Sequence, residues 1–179
     1  MKLLFQFLLA LVGIIILSIL NIGLSYILPY PWSKINIIFA ALILLMVWWE
    51  SGFIVWVAFL SFFIIELFAV TPFGLILFSS TVSILISYWF YQLIFTNQSW
   101  YTAISLSFFS IFLYRLIYII ILLMLIFFGF DINYPQSQFY YILLWEMILT
   151  CALVGIIYLL SFYFSHKKQN NTNFLVNRL

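Results

Sequence analysis

The feature that most constrains this chain is a succession of long apolar runs. The first extends from Leu3 to Leu20, and at about 1.5 Å per residue it can cross most of the ~30 Å hydrocarbon core of a bilayer. The whole sequence is 68% hydrophobic and 6% charged, against about 25% charged residues in a typical soluble domain. Too few polar side chains are present to cover a water-soluble fold, so we expect lipid to solvate the exterior.

Helices are the expected spanning structure. Within hydrocarbon every backbone N–H and C=O must be paired inside the protein, which leaves helices and closed barrels. Strands of a membrane barrel alternate apolar and polar residues, whereas the runs here are unbroken. We therefore predict an all-α polytopic bundle of about six spans over residues 1–164, followed by a short polar cytoplasmic tail over residues 165–179.

Turn formers and polar clusters separate the predicted spans. The spans are Leu3–Leu20, Ile35–Trp49, Phe53–Val70, Leu75–Phe95, Thr102–Phe128 and Phe139–Phe164. A cleaved signal peptide is the alternative for the first run, but no Ala-x-Ala-like site follows it. We expect the connection from Asn21 to Lys34 to lie along the outer surface and the residues from Gly129 to Gln138 to form a polar loop.

The distribution of Lys and Arg predicts the orientation. Lys2, Lys167, Lys168 and Arg178 lie near the two ends of the chain, and Lys34 lies in the first connection. Cytoplasmic connections carry an excess of positive charge. Six spans with the amino terminus inside place four of these five cations in the cytoplasm, so both termini are predicted to be cytoplasmic.

Three ionisable residues lie within predicted spans, namely Glu66, Arg115 and Glu146. Burying each charge costs at least ~2.5 kcal/mol on insertion scales. We hypothesise that Arg115 pairs with Glu146 or Glu66 inside the bundle, in a charge network that links helices or serves an interaction. A ligand or ion pathway is an alternative, and so is an arginine that extends to the interface without a partner.

The residue types required by common enzymes are missing from the spans. His166 is the only histidine and lies in the tail, Cys151 is the only cysteine, and Asp131 lies in a predicted loop. These positions exclude a histidine pair, an intramembrane Ser–His arrangement, a pair of intramembrane aspartates and a cysteine metal site. We expect no catalysis, no metal and no cofactor. The net charge of +2 does not favour nucleic acid as a partner.

Serines and aromatic residues each allow two interpretations. The fourth span carries Ser79, Ser80, Ser83 and Ser87, which could line a polar path but more often allow close packing of membrane helices. Trp and Tyr cluster near the predicted span ends, where we interpret them as anchors at the membrane interface.

Short motifs between Pro31 and Arg115 resemble the rod-shape-determining protein family MreD. The motifs are Glu50, Ser51, Gly52 and Phe53 at a turn that opens a span; Glu66, Leu67 and Phe68 as an acidic residue followed by leucine; Thr71, Pro72, Phe73, Gly74 and Leu75 as a Pro-x-Gly-Leu turn; and Phe95, Thr96, Asn97, Gln98 and Ser99 as a loop. The resemblance covers about half of the chain.

The resemblance implies a non-enzymatic scaffold of the cell-shape and cell-wall elongation machinery in the bacterial inner membrane. Its implied partners are an MreC-like protein and other membrane proteins of that machinery, besides MreB and wall-synthesis enzymes. The family is also similar to the substrate-binding subunits of energy-coupling-factor vitamin transporters, so capture of a vitamin near the outer surface is the alternative function. A lipid-processing enzyme is disfavoured because the spans offer no nucleophile with a base.

Overall fold

The computed structural model describes the backbone of residues 2–49, 51–94, 99–129 and 136–176, and the side chains of residues 11–49, 51–94, 99–129 and 141–163. Every described element is helical, which confirms the all-α prediction over these ranges. The elements are α1 (Lys2–Ile27), a 3₁₀ turn (Trp32–Lys34), α2 (Ile37–Trp49), α3 (Phe53–Phe68), α4 (Leu75–Ile94), α5 (Trp100–Phe127) and α6 (Gln136–Val176).

Three helical segments are long and apolar enough to cross a membrane. They are Leu75–Ile94, Trp100–Phe127 and the Tyr141–Tyr163 part of α6. The apolar segments Leu11–Ile27, Ile37–Trp49 and Phe53–Phe68 are shorter. Length and composition therefore identify three candidate spans among the described residues.

Two helices extend beyond the predicted spans. Helix α1 continues to Ile27, so residues from Asn21 onward that were expected in the first connection are helical. The first proline of the chain is Pro29, and nothing before it interrupts the helix. Helix α6 similarly continues to Val176, through most of the predicted tail, which contains neither proline nor glycine.

Some predicted features lie outside the described residues. They are Glu50, Phe95–Gln98, the part of the polar loop that holds Asp131, and the last residues including Arg178. The side chains of Lys2, His166, Lys167 and Lys168 also lie outside the described set.

Helix α2 occupies the centre of the bundle. The other helices pack side by side in the order α1, α3, α4, α5, α6, and α2 contacts α1, α3, α5 and α6. The 3₁₀ turn contacts both α1 and α6. Most of α2 is buried, including Ile38, Phe39, Ala40, Leu42, Ile43, Leu44, Met46 and Val47.

The chain reverses between two ends of the bundle. The ends of α1, α3 and α5 and the beginnings of α2, α4 and α6 lie at one end, which we call the Pro72 end; the opposite end is the Trp49 end. At the Pro72 end, the backbone N–H of Ile37 donates to Oδ1 of Asn21 at 2.9 Å. Asn21 lies six residues before the end of α1, which is about 9 Å along the helix. Because Ile37 contacts Asn21, α2 begins at this depth, and the chain after α1 must first fold back into the bundle.

The polarity of the bundle is reversed relative to a soluble protein. Large apolar side chains dominate the exterior, with Val70, Phe127 and Leu93 more than four-fifths exposed. Many hydroxyl groups are inside, including the fully buried Ser18 and Ser61. Ser18 Oγ donates to the carbonyl of Ile14 at 2.9 Å. This distribution is expected of a chain whose exterior contacts lipid and whose polar groups must be satisfied within the protein.

Candidate functional site

A salt bridge between Arg115 on α5 and Glu146 on α6 lies inside the bundle near the Pro72 end. Nε of Arg115 donates to Oε2 of Glu146 at 2.7 Å, and Nη2 contacts the same oxygen. The two side chains are only 16% and 5% exposed. Of the two partners considered for Arg115, the structure places Glu146 in contact. A charge-assisted hydrogen bond of this kind is about twice as strong as a neutral one.

Asn36 connects the second oxygen of Glu146 to the beginning of α2. Its Nδ2 donates to Oε1 of Glu146 at 3.2 Å, and its Oδ1 accepts from the backbone N–H of Phe39 at 3.3 Å, as a helix N-cap does. The backbone N–H of Asn36 donates to Oγ1 of Thr150 at 3.2 Å. We call Asn21, Asn36, Arg115, Glu146 and Thr150 the Asn36 network; it joins α1, α2, α5 and α6.

Aromatic rings cover the cation of this network. The guanidinium carbon of Arg115 lies 5.2 Å from the ring centre of Tyr114 and 5.9 Å from that of Tyr118. The Tyr114 ring in turn packs against Phe39 of α2, with centres 5.2 Å apart. Cation–π contacts of this kind stabilise a desolvated charge by roughly 2 kcal/mol. The arginine is therefore held by a carboxylate and by ring faces.

Glu66 is used at a different place, where α3 turns into α4. Its Oε1 accepts from the backbone N–H of Gly74 at 2.9 Å, and its Oε2 accepts from that of Leu77 at 2.6 Å. The side chain is 3% exposed. The first N–H groups of a helix have no partner within it, and a carboxylate at this position also interacts favourably with the helix dipole. Glu66 thus fixes the start of α4 rather than extending the Asn36 network.

The family-like turn Thr71, Pro72, Phe73 and Gly74 is closed by this carboxylate. The N–H of Leu75 donates to the carbonyl of Pro72 at 3.3 Å. Gly74 has φ +95°, a conformation that L side chains rarely adopt. The ring of Phe73 is exposed and packs edge-on against Phe63 of α3, with centres 6.4 Å apart. The four residues form a structural turn between two antiparallel helices.

The serines of α4 are buried, and one of them binds α5 directly. Ser79, Ser80, Ser83 and Ser87 are all fully buried. Oγ of Ser83 donates to the carbonyl of Ser110 on α5 at 2.5 Å, and Oγ of Ser80 donates to the carbonyl of Ile76 at 2.7 Å. These contacts agree with the helix-packing interpretation. On the next interface, Oγ of Ser107 donates to Sγ of Cys151 at 3.2 Å, which joins α5 to α6.

Sequence reasoning missed three members of the Asn36 network. Asn36 precedes the apolar run of α2, a position where asparagine is a preferred N-cap, and this signal was available. Asn21 and Thr150 gave no comparable signal, because uncharged polar residues in apolar runs are common at helix contacts.

An open cleft lies at the Pro72 end beside the network. Its volume is about 390 Å³, and its walls include Tyr30, Lys34, Tyr141 and Ile142. Ile142 precedes Glu146 by one helical turn on α6. The cleft therefore lies next to the buried salt bridge, toward the beginning of α6.

The arrangement is suited to holding helices together. Each oxygen of Glu146 and of Glu66 accepts a hydrogen bond from another part of the chain. Among the side chains described, no group of three His, Cys, Asp or Glu could hold a metal ion. The fold and site together define an all-helical protein with three helices able to cross a membrane and a buried polar network at one end. Comparison with family models, with curated proteins and with solved structures found no match.

Proposed function

We propose that the chain is a multi-pass protein of the bacterial inner membrane with six spans and both termini cytoplasmic, and that it acts as a non-enzymatic, MreD-like scaffold of the cell-wall elongation machinery. The observation that carries the proposal is that the buried charges bind other parts of the same chain. Glu146 binds Arg115 and Asn36, and Glu66 binds the start of α4. These charges stabilise the shape of the bundle, and the exterior is left as the surface for contact.

An aromatic row on α3 and the turn that follows it is the surface that we propose for a single-span, MreC-like partner. Phe59 and Phe63 stack with centres 6.5 Å apart, and Phe63 continues to Phe73 at 6.4 Å. All three rings are more than a third exposed. Aromatic side chains bring a large contact area at low conformational cost and are enriched at interfaces. A partner helix could therefore pack along this row.

Affinity capture of the detergent-solubilised chain tests this proposal. We expect an MreC-like protein and other elongation proteins to be captured with the chain, and the Phe63→Ala variant to lose most of that capture. Phe112→Ala, an exposed phenylalanine on α5, is the matched control and should retain it. Capture that is absent in the native chain, or equal in both variants, would contradict the proposed surface.

The second candidate function is substrate capture for an energy-coupling-factor-type transporter. One observation favours it, namely the cleft of about 390 Å³ beside Lys34, since small-molecule sites are concave and combine apolar walls with a few polar groups. Capture of ATPase subunits, or a vitamin that remains bound during purification, would favour this candidate over the scaffold.

A further inference from the structure

The cleft at the Pro72 end combines one cation with two phenols. Lys34 ends the 3₁₀ turn, and its partly buried side chain lines the cleft with Tyr30 and Tyr141. The two tyrosines are 56% and 65% exposed. Ile142 adds an apolar wall on α6. The cleft therefore offers a positive charge and two hydroxyl donors beside a hydrocarbon surface.

The charge of Lys34 is not neutralised within the part of the chain that the structure describes. There the salt bridge is that of Arg115 with Glu146, and both oxygens of Glu146 are already hydrogen-bonded. A partly buried ammonium group gains most from an anion that brings its own oxygen acceptors. Its position thus favours an anionic ligand over a neutral one.

The location of the cleft favours a ligand with an apolar part. The 3₁₀ turn contacts both α1 and α6, and the cleft lies between this turn and the beginning of α6. Tyr26 and Ile27, which end α1 shortly before Tyr30 in the chain, are 84% and 79% exposed. A ligand whose charged group reaches Lys34 can therefore place hydrocarbon against exposed apolar side chains of the bundle.

We propose that this cleft binds a phosphate ester, with Lys34 contacting the phosphate and the hydroxyls of Tyr30 and Tyr141 donating to its oxygens. The phosphate belongs to a lipid headgroup or to a soluble phosphate ester, and the test separates these two sources. The site does not depend on the scaffold function, since it lies on the 3₁₀ turn and α6 and not on the aromatic row of α3.

Native mass spectrometry of the detergent-purified full chain tests the site. The probes are phosphatidylglycerol and diacylglycerol with identical acyl chains, because only the first carries phosphate. We expect phosphatidylglycerol to be retained at least about tenfold better, and Lys34→Gln to reduce that retention by roughly tenfold, as the loss of one charge-assisted contact implies. Lys167→Gln in the predicted tail is the matched control and should retain it.

Equal retention of the two lipids, or unchanged retention in Lys34→Gln, would overturn the proposal. Tyr141→Phe removes one hydroxyl and keeps the ring, so it tests the same site if Lys34→Gln does not fold. We expect a smaller loss of roughly threefold.

Competition by glycerol 3-phosphate supports a soluble ester as the source of the phosphate. Its failure to compete, with phosphatidylglycerol still retained, supports a lipid. Capture of an MreC-like partner should be unchanged in Lys34→Gln, so failure of this site and failure of the scaffold proposal can be distinguished.

Discussion

At the scale of single residues, the two oxygens of Glu146 bind different partners, and this explains how a charge pair persists inside an apolar bundle. One oxygen accepts from Arg115 and the other from Asn36. The rings of Tyr114 and Tyr118 lie against the guanidinium. A buried ion pair is tolerated only when its remaining polar atoms are also satisfied. The uncharged Asn36 therefore satisfies the second oxygen of the buried carboxylate.

We predict strong energetic coupling between Arg115 and Glu146. Arg115→Met leaves a buried carboxylate without its cation, and Glu146→Gln leaves a buried guanidinium without its anion. Each change should lower the free energy of unfolding by roughly 3 kcal/mol, whereas the double variant should lose clearly less than the sum. Thermal or SDS unfolding of the four purified proteins in detergent measures this double-mutant cycle.

Glu66 provides the matched control for that cycle. It is also a buried glutamate, but its oxygens bind the backbone of α4. The losses from Glu66→Gln and Arg115→Met should therefore be closer to additive than those of the Arg115 and Glu146 pair. Additive losses for Arg115 and Glu146 would show that their contact contributes nothing to stability.

At the scale of helices, the sequence predicts a helix boundary accurately where glycine or proline breaks the helix, and less accurately elsewhere. The beginnings of α3 and α4 were predicted correctly, because Gly52 and the Pro72–Gly74 segment interrupt any helix there. The sequence predicts the end of the first span at Leu20, seven residues before α1 ends at Ile27, because the polar Asn21 indicates a boundary. Asn21 instead caps the start of α2 from within α1, a contact that only the packed bundle reveals.

The candidate site likewise has features that the sequence predicts and contacts that only the packed bundle reveals. Charged residues in apolar runs were recognisable, so Glu66, Arg115 and Glu146 were identified from sequence. The choice of partner was not, since it depends on which helices are neighbours, and α5 packs against α6. Glu66 faces the turn that follows its own helix, which is a local contact at a separation of 8 residues from Gly74.

We predict that the turn between α3 and α4 requires glycine at position 74 for its backbone conformation. The φ of Gly74 is +95°, and no atom lies within 4 Å of the position where a Cβ would be added. Gly74→Ala should therefore destabilise the protein by about 1–2 kcal/mol through backbone strain and not through a clash. Thermal unfolding in detergent measures the loss.

Gly23→Ala, within α1, is the matched control. The added methyl group also meets no atom there, but a helical backbone accepts alanine, so stability should be unchanged or slightly increased. Equal stability of the two variants would contradict the argument from backbone conformation.

At the scale of the whole molecule, the central position of α2 explains how a short helix fits among helices that are long enough to cross a membrane. Its 13 residues give roughly 20 Å, less than the ~30 Å of hydrocarbon. Other helices surround it, and its first turn is capped inside the bundle by Asn36 and Asn21. Backbone groups at its beginning are thus satisfied by protein and need not reach water. The short length of α2 is therefore compatible with a position inside a bundle whose longer helices cross a membrane.

Cysteine labelling in spheroplasts tests whether the bundle spans the membrane in the proposed orientation. Cys151→Ser is the background, because serine can still accept from Ser107 at this helix contact. Tyr30→Cys places a thiol at the Pro72 end and Ser51→Cys places one at the Trp49 end, both at exposed positions. The four cations near the chain ends are predicted to be cytoplasmic, which places the Pro72 end outside. A membrane-impermeant maleimide should therefore label Tyr30→Cys in intact spheroplasts and label Ser51→Cys only after permeabilisation. The reverse pattern would invert the orientation, and labelling of both variants in intact spheroplasts would show that the two ends of the bundle do not lie on opposite sides of the membrane.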